Sequence, residues 1–583
     1  SVKWVSESKN VWNEVWTLRG DGARETYVPH EYAEFRWAEI IGAPELPTPE
    51  RVNGWQVHYP FDGELNENGL VTIETSDAYA SSDAAAMMGA ADGLTRIETS
   101  DAALSAVWEL VRHTIKAAAL DLNTDSNTRQ RDLCTLDAWL TTRYQSGVAP
   151  ATAVHLRRRV TQSMWEPNGY VNYWTEFLVA HVGALHDYVF DYGDTTLAKY
   201  LWNLSWQFPL PTATSAASGD PATAAAPAPE RGRPKDPPPQ NKEHFSLTAF
   251  WNASTQLVHE TPRPLVDWPR SSGIDTDAEK SSHCAELCVQ MNAYAVQAHE
   301  WIAGLAQTLG KTSDATTYAA RAAAIRAAAQ AAFSTTKCDV SPSTLHSQQR
   351  NSHAALADAD QMECYRDNLA SISPAYTSAT AASTAAFATL PGSAAGVLAL
   401  VPFLAARNAR RGASHGLEVS GWMAGFMCEG VYRAAGEVSE GPLPLASVSR
   451  AVEFVYSVLV NRGANSWLSM IAQNATMTME SWTLPPLEDE GGGTFSHPWT
   501  AAPAYLIPRF LMGVRPLDTA WRRVAIRPLP PKSLKSASVH MPTMRGEIAL
   551  SFAMSRRHTV FAANVTLPGN TVAQLCLPRY LFE

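Results

Sequence analysis

The sequence predicts a mainly α-helical protein in which a helical barrel or solenoid lies between two β-rich segments. Three observations predict this fold. Apolar residues recur at a spacing of about 3.6 from about residue 100 to 510, as in helices that bury one face. Short alternating apolar runs broken by Gly and Pro lie before about residue 80, and alternating runs return after about residue 515. A repeat of roughly 34 or 40 residues is missing, which favours a closed barrel over an open solenoid.

Length and composition limit the classes of protein that fit this sequence. The chain has 583 residues, of which 45% are hydrophobic and 18% are charged, so it can bury a large core. Its length indicates two or three domains, or one large barrel with appendages. The formal net charge of −11 argues against nucleic-acid binding, which needs a concentrated basic surface.

Targeting signals are sparse in the sequence. An apolar run of about 18 residues, the minimum for a membrane-spanning helix, is missing, so no membrane span is expected. The first residues do not have the pattern of a signal peptide. Four Asn-x-Ser/Thr sequons favour a secreted or lumenal location, although chance supplies several in a long chain; they begin at Asn203, Asn252, Asn474 and Asn564.

The first segment, residues 1–85, is predicted to be a β-rich lead-in, a remnant of a β-sandwich domain. Its clearest alternating runs are residues 14–18 and 34–40. Ser100 or Asp101 then provides an N-cap for the first long helix, because a short polar side chain can accept from free backbone N–H groups.

Residues 86–514 are predicted to form the barrel. Apolar positions between 287 and 309 follow helical spacing, and Gly310 stands where a C-terminal cap belongs. An Ala-rich helix is expected from about residue 313 to 333. Residues 211–243 are rich in Pro, Ala and small polar residues, so we expect a disordered insertion there.

The last segment, residues 515–583, is predicted to be a β-sandwich. Its strands are expected at residues 547–552, 559–565 and 571–575, and residues 567–570 form a turn. This change from helical to alternating spacing sets the boundary near residue 515.

Cysteine spacing gives no support for a metal or cofactor. The seven Cys are too few for a disulfide scaffold. Cys284 and Cys288 lie four residues apart, but no second Cys or His pair completes a zinc site. We therefore expect no metal site.

Four polar clusters could carry chemistry, and each also has a purely structural interpretation. Residues 125–132, followed by Asp137, form the densest cluster; carboxylates beside Arg can hold sugar hydroxyls, but a solvated capping loop has the same composition. Glu480 near Trp482 could equally lie at the surface or cap a helix. His497 and Trp268 each lie beside a Pro, and a His in such a setting is often structural.

The order of these clusters resembles glycoside hydrolase family 78, the α-L-rhamnosidases. The signature of this family has an Asp, an Arg four residues later, an acidic residue next, and an Asp-Ala pair seven residues beyond the acid. This chain has Asp125, Arg129, Gln130 and then Asp137 followed by Ala138, at the same spacing. Residues 466–482 are the most specific match, and residues 513–516 and 526–530 match the exit into the last sandwich. The resemblance covers almost the whole chain, except for most of the leading β domains.

The resemblance implies an (α/α)6 barrel flanked by β-sandwich segments, and hydrolysis of terminal α-L-rhamnose with inversion and without a cofactor. Inversion needs two carboxyl groups about 6.5–9.5 Å apart, one as acid and one as base. Glu480 matches the general base. The positions that match sugar-holding or pocket residues are Asp125, Arg129, Asp137, Trp174, Trp268 and His497.

This sequence departs from the family at the general-acid position. Gln130 stands there, and an amide has no proton of suitable acidity to donate. Cys134 replaces a Trp that the family usually has, which changes one stacking wall of the pocket. Asp132, two residues from Gln130, is the candidate substitute acid, although such a shift re-aims the side chain.

Three functions remain open at this stage. The first is an active glycosidase with a substitute acid, and its partner is a rhamnose-containing glycan or glycoside. The second is a catalytically impaired member that binds carbohydrate or serves as a structural or interaction subunit. The third is a helical scaffold without a sugar site. The sequence also leaves open a homo-oligomer or a larger assembly.

Overall fold

The computed structural model describes parts of residues 2–61 and then 93–127, 130–165, 175–203, 251–258, 289–333, 401, 420–438, 445–482, 494–555, 557 and 559–582. The expected insertion at 211–243 and the Cys284/Cys288 pair lie outside the described residues.

Helices dominate the middle of the chain, as the periodicity predicts. The α-helices are Ala102–Ala117, Thr135–Val148, Val154–Met164, Thr175–Tyr192, Thr195–Asn203, Val289–Thr308, Thr312–Phe333, Gly421–Val438, Leu445–Leu459, Trp467–Ala472 and Pro503–Leu506. Short 3₁₀ segments are Pro498–Thr500, Thr519–Trp521 and Arg579–Phe582, and Ile507–Leu511 is π-helical.

Two expected helix ends are confirmed. Asp101 is the N-cap of Ala102–Ala117, and its Oδ1 accepts from the backbone N–H of Ala103 at 2.8 Å. Ser100, the other candidate, instead uses its hydroxyl to accept from the backbone of Ser536. Gly310 follows the helix Val289–Thr308 with a φ of 73°, a left-handed conformation that a side chain would strain.

Helices pack in pairs that are consecutive in the chain. Val289–Thr308 packs against Thr312–Phe333, and Gly421–Val438 packs against Leu445–Leu459. Thr135–Val148 is buried along its whole length, because helices and the segment 498–506 surround it. Gly147 permits this approach: a Cβ there would lie 2.1 Å from the carbonyl oxygen of Ala504.

One apolar core joins these helices to the C-terminal strands. Large aromatic side chains fill much of it, which agrees with the low charge of the sequence. The tryptophans with the most completely buried side chains are Trp108, Trp139, Trp422, Trp467, Trp482 and Trp521.

Strands form small sheets at both ends of the chain. An antiparallel sheet near the start has Val2–Val5 between Val11–Glu14 and Ala38–Ile40. In the middle of the chain, Trp251–Asn252 pairs with Leu257–Val258. Near the end, Val514–Pro516, Arg523–Ile526 and Val572–Leu575 form a three-stranded sheet. A four-stranded sheet has the order Phe561–Thr566, Gly546–Met554, Ser536–Thr543, Arg96–Thr99.

The four-stranded sheet contains a pairing that sequence analysis missed. Arg96–Thr99 pairs antiparallel with Ser536–Thr543, with Ile97 opposite Val539. The strand that leads into the first long helix is therefore the edge of the C-terminal sheet. This pairing holds the start of the helical region against the end of the chain.

Candidate active site

The first part of the site is the loop between the helices Ala102–Ala117 and Thr135–Val148. The backbone N–H of Asp125 donates to the carbonyl of Asp132 at 3.0 Å, which closes the loop on itself. Arg131 has a φ of 55°, where non-glycine residues are uncommon. The N–H of Asn127 donates to the Ser496 hydroxyl at 3.2 Å, so the loop is joined to the second part of the site.

Asp137 follows this loop in the first turn of Thr135–Val148, where the helix dipole favours a negative charge. Its carboxylate is buried and lies 2.9 Å from Nε2 of His497. The sequence separates these residues by 360 positions, and the fold brings them into direct contact.

The second part of the site consists of two chain segments with paired backbones. The N–H of Glu480 donates to the carbonyl of Thr494 at 2.8 Å, and the N–H of His497 donates to that of Thr478 at 2.7 Å. The indole of Trp499 donates to the Glu480 carbonyl at 3.0 Å. These bonds fix the backbone on both sides of the Glu480 side chain.

The Glu480 carboxylate is buried, so the surface interpretation of its motif does not apply. Its Oε2 accepts from the backbone N–H of Thr494 at 2.9 Å, and the Thr494 hydroxyl lies 3.4 Å away. The same hydroxyl lies 2.9 Å from Nδ1 of His497, which is 3.7 Å from Glu480 Oε2. The His497 ring therefore stands between two buried carboxylates.

The charge state of His497 follows from this position. Burial alone lowers the pKa of an imidazole, but Glu480 and Asp137 outweigh it, and the pKa of His497 is raised. The protonated ring has a donor at each nitrogen, which suits Asp137 on one side and Thr494 with Glu480 on the other.

Asp125 has a different environment from the other carboxyl groups. Burial raises the pKa of Asp125 to about 7, with a further increase from Asp137 and an opposing effect from His497. Cys134, at the loop end, has a thiol whose pKa burial raises well above its usual range, and Asp137 and Asp125 add to that effect. The thiol is therefore neutral at physiological pH.

The structure brings together four of the residues that the sequence singled out: Asp125, Asp137, Glu480 and His497. Gln130 is exposed. Asp132 is half-buried, and its Oδ1 accepts from the N–H of Leu133 at 2.8 Å. Three predicted residues lie outside the described residues: Arg129, Trp174 and Trp268.

Sequence reasoning missed the connecting groups. Thr494 links Glu480 to His497, and Ser496 links their segment to the loop at Asn127. Both residues lie within three positions of His497 in the sequence. A single sequence does not show which groups their hydroxyls bond in the folded protein.

Among the described residues, no group of three or more His, Cys, Asp or Glu side chains is placed to hold a metal ion. In the same part of the chain, no helix has the length and apolar character needed to cross a membrane.

Comparison with known proteins gives the class of this fold. The family model described as the bacterial alpha-L-rhamnosidase 6 hairpin glycosidase domain matches residues 248–415, and that of the bacterial alpha-L-rhamnosidase C-terminal domain matches residues 513–580. An α-L-rhamnosidase from Dictyoglumus thermophilum has a similar structure, with a TM-score of 0.62 and 15% identity; the match covers 93% of this chain and 48% of that protein. The native rhamnosidase of Aspergillus terreus gives a TM-score of 0.57 at 14% identity, with coverage of 83% and 48%.

A curated protein also matches part of the chain. An alpha-L-rhamnosidase of Formosa agariphila is 28% identical over 134 residues, which are 22% of this chain and 14% of that protein. The chain spans only about half the length of the solved relatives.

The protein is thus a six-hairpin glycosidase in architecture, with an (α/α)6 barrel and C-terminal β-sheets. Its matched segments are similar to the 6 hairpin glycosidase domain and the C-terminal domain of bacterial alpha-L-rhamnosidases. Neither matched range contains Asp125, Asp137, Glu480 or His497, so the roles of these residues stay predictions.

Proposed function

We propose that this chain is an inverting, α-L-rhamnosidase-like glycoside hydrolase that acts on terminal α-L-rhamnosides or related glycans without a cofactor. The observation that carries the proposal is the buried Glu480 carboxylate, with Oε2 fixed by Thr494 and facing His497. A base that removes a proton from water must be held in one orientation, because a small displacement costs much of the rate.

The remaining polar groups suit a sugar-binding role. Asp125 and Asp137 supply carboxyl oxygens, which hold sugar hydroxyls by charge-assisted hydrogen bonds. His497 bridges Asp137 and Glu480 and sets the position of both. The further pocket residues that family resemblance suggests are Arg129, Trp174 and Trp268.

The second candidate function is carbohydrate binding, or a structural or interaction role, without turnover. The observation that favours it is Gln130, which occupies the expected acid position and is exposed. Asp132 is the substitute acid suggested by sequence proximity, but its Oδ1 accepts from the adjacent backbone N–H. A proton donor at either position therefore has little structural support.

The test is hydrolysis of an aryl α-L-rhamnoside by the purified protein and by Glu480→Gln. The proposal expects turnover by the unaltered protein and a large loss in the variant. Equal rates from both would remove Glu480 from the mechanism. Binding of rhamnose by calorimetry, without turnover, would favour the second function.

A further inference from the structure

The two side-chain oxygens of Asp125 have different surroundings. Its Oδ1 accepts from the backbone N–H groups of Ser126 and Asp132, the latter at 3.3 Å. Among the described residues, Oδ2 has no hydrogen-bond partner. Because backbone N–H groups can only donate, Oδ1 must remain an acceptor, and a proton on this carboxyl group resides on Oδ2.

The surrounding charges favour that proton. Asp125 is 2% exposed and interacts electrostatically with Asp137, which His497 holds at 2.9 Å. Glu480 is a third buried carboxyl group beside the same imidazole. Like-charged carboxyl groups in one buried cluster cannot all ionise easily, so the least compensated one keeps its proton.

The other candidate donors are used or unsuitable. Gln130 has an amide in place of an acid. Asp132 is half-buried, whereas Asp125 is buried and is among the charges that act on His497. Asp137 is paired with His497, and the pKa of the Cys134 thiol is far too high for donation near neutral pH.

We propose that Asp125 is the general acid of this chain, a role that family resemblance would place at Gln130. This inference rests on the proposed function and names its missing proton donor. In the reaction, Oδ2 of Asp125 gives its proton to the glycosidic oxygen as the bond between that oxygen and the anomeric carbon breaks. Glu480 takes a proton from water, whose oxygen forms the new bond to the anomeric carbon on the opposite face. After the products leave, Glu480 releases its proton to solvent and Asp125 regains one from solvent.

A pKa of about 7 suits this role, since it leaves a proton available at neutral pH and a conjugate base of moderate strength. The rate should therefore fall as the pH rises through about 7, because the acid form is lost there.

The test compares Asp125→Asn with the unaltered protein across a series of aryl and alkyl α-L-rhamnosides of increasing leaving-group pKa. A leaving group that departs without protonation does not need the acid. We expect kcat/KM of Asp125→Asn to fall less than about tenfold for dinitrophenyl rhamnoside and about 10²–10⁴-fold for alkyl rhamnosides. The fall in rate near pH 7 should disappear in the variant. Glu547→Gln, at an exposed position of the strand Gly546–Met554, is the control and should follow the unaltered protein.

An equal loss for all leaving groups would overturn the proposal, because it is the result expected of a residue that only holds the sugar. The proposal would also be overturned if Asp132→Asn, instead of Asp125→Asn, lost more kcat/KM with alkyl rhamnosides than with dinitrophenyl rhamnoside. If Asp125→Asn does not fold, the pH dependence of the unaltered protein decides: an alkyl rhamnoside cleaved equally well at pH 6 and pH 9 contradicts an acid of this pKa. A protein that cleaves no rhamnoside of the series contradicts the proposed function itself.

A separate observation concerns a cluster of arginines at the C-terminal end of the helix Gly421–Val438. Arg515 lies on the strand Val514–Pro516, and Arg527 directly follows the strand Arg523–Ile526. A Cβ at Gly436 would lie 3.8 Å from Nη2 of Arg515 and 3.7 Å from Nη1 of Arg527, which donates to the Gly436 carbonyl at 2.8 Å. Arg433 and Arg515 both lie over the Phe510 ring, 5.2 and 5.0 Å from its centroid.

The described residues provide too little negative charge for this cluster. Glu429 already accepts from Arg143 at 2.7 Å and from Arg433. Within the described part of the chain, Arg515 has no hydrogen bond or ion pair, and its Nε is buried without a partner. Burial, together with Arg433 and Arg527, lowers the pKa of Arg515 to about 10.

We infer that this cluster, hereafter the arginine site, binds a tetrahedral dianion, a phosphate or sulfate group, which guanidinium groups recognise through paired N–H donors. The test is thermal unfolding with increasing inorganic phosphate, or sulfate, against chloride at equal ionic strength. We expect a saturable rise in Tm for the unaltered protein. The rise should be absent in Arg515→Gln and unchanged in Arg522→Gln, the control at an exposed position.

No rise above chloride, or the same rise in Arg515→Gln, would overturn the arginine site. If Arg515→Gln does not fold, calorimetric titration of the unaltered protein with phosphate decides, and absence of a saturable heat contradicts the inference.

Discussion

The two halves of the active site are built differently. On one side, Glu480 and His497 belong to paired segments in which backbone, hydroxyl and imidazole groups form a continuous network that includes Asp137. On the other side, the loop 118–134 leaves Gln130 exposed and holds Arg131 in a left-handed conformation. The side that carries Glu480 is thus fixed and buried, whereas Gln130, at the expected acid position, is exposed.

Gln130 and Asp125 differ in their relation to the buried network. The Gln130 residue is exposed, and its backbone N–H donates to the Ser126 hydroxyl at 3.1 Å. Asp125, in contrast, is tied to that network through His497 and Asp137. We therefore expect Asp125, at the buried end of this loop, to be the carboxyl group that keeps its proton near neutral pH.

The largest expected effect is on the base side. Glu480→Gln keeps the size of the side chain but removes the group that accepts the proton from water, so kcat for an aryl α-L-rhamnoside should fall by about 10³-fold. Steady-state kinetics measure this loss. Glu547→Gln, on the exposed strand Gly546–Met554, is the control and should leave kcat unchanged. A variant rate within a factor of a few of the original would contradict the assignment.

The next effect is on stability. His497→Asn removes the ring between Asp137 and Glu480 and leaves two buried carboxylates without it, which should lower the free energy of unfolding by about 3 kcal/mol. Because the pKa of His497 is raised, its contribution is present below its usual pKa and is lost as the pH rises through the raised value. The deficit of the variant should therefore be larger at pH 6 than at high pH.

Urea unfolding at both pH values measures this deficit. His540→Asn is the control, since His540 makes an exposed pair with Glu547 and should change stability by less than about 0.5 kcal/mol. Equal effects of the two substitutions would show that the buried network does not stabilise the base side.

The acid side should show the pH dependence of Asp125. Its folded pKa of about 7 lies above the unfolded value, so the folded state binds the extra proton between about pH 4 and 7. Stability should therefore fall as the pH rises through that window. We compare the free energy of unfolding of Asp125→Asn with that of the unaltered protein. The difference should favour the variant by about 2 kcal/mol more at pH 8 than at pH 5. A difference that does not vary with pH would mean that Asp125 is ionised throughout.

The smallest effect is expected at the exposed position. Gln130→Glu restores the acid of the family signature, and we expect a gain of no more than about tenfold in kcat/KM for poor leaving groups. A much larger gain would show that only the acid at this position was missing and would argue against Asp125 as the donor.

Sequence patterns predicted those features that depend on neighbouring residues. The Asp101 cap, the left-handed Gly310 and the strands near residues 548, 561 and 572 were all correctly placed. Family spacing selected Glu480 and Asp137, but it did not predict that His497 lies between them.

Features that depend on distant residues could not be predicted in this way. The strand Arg96–Thr99 pairs with a segment more than 400 residues later, and Arg143 meets Glu429 across 286 residues. The exposure of Gln130 and the burial of Asp125 also depend on how the loop closes. Local propensity and periodicity carry no information about such partners.

The most direct test of the central claim is chemical rescue of Glu480→Ala by azide. A small anion can occupy the space of the lost carboxylate and the water, and attack the anomeric carbon on that face. If Glu480 activates the water, azide should restore turnover of an activated aryl α-L-rhamnoside, with NMR showing β-L-rhamnosyl azide as the product. Absence of any rescue, or an azide product with the original α configuration, would contradict the account.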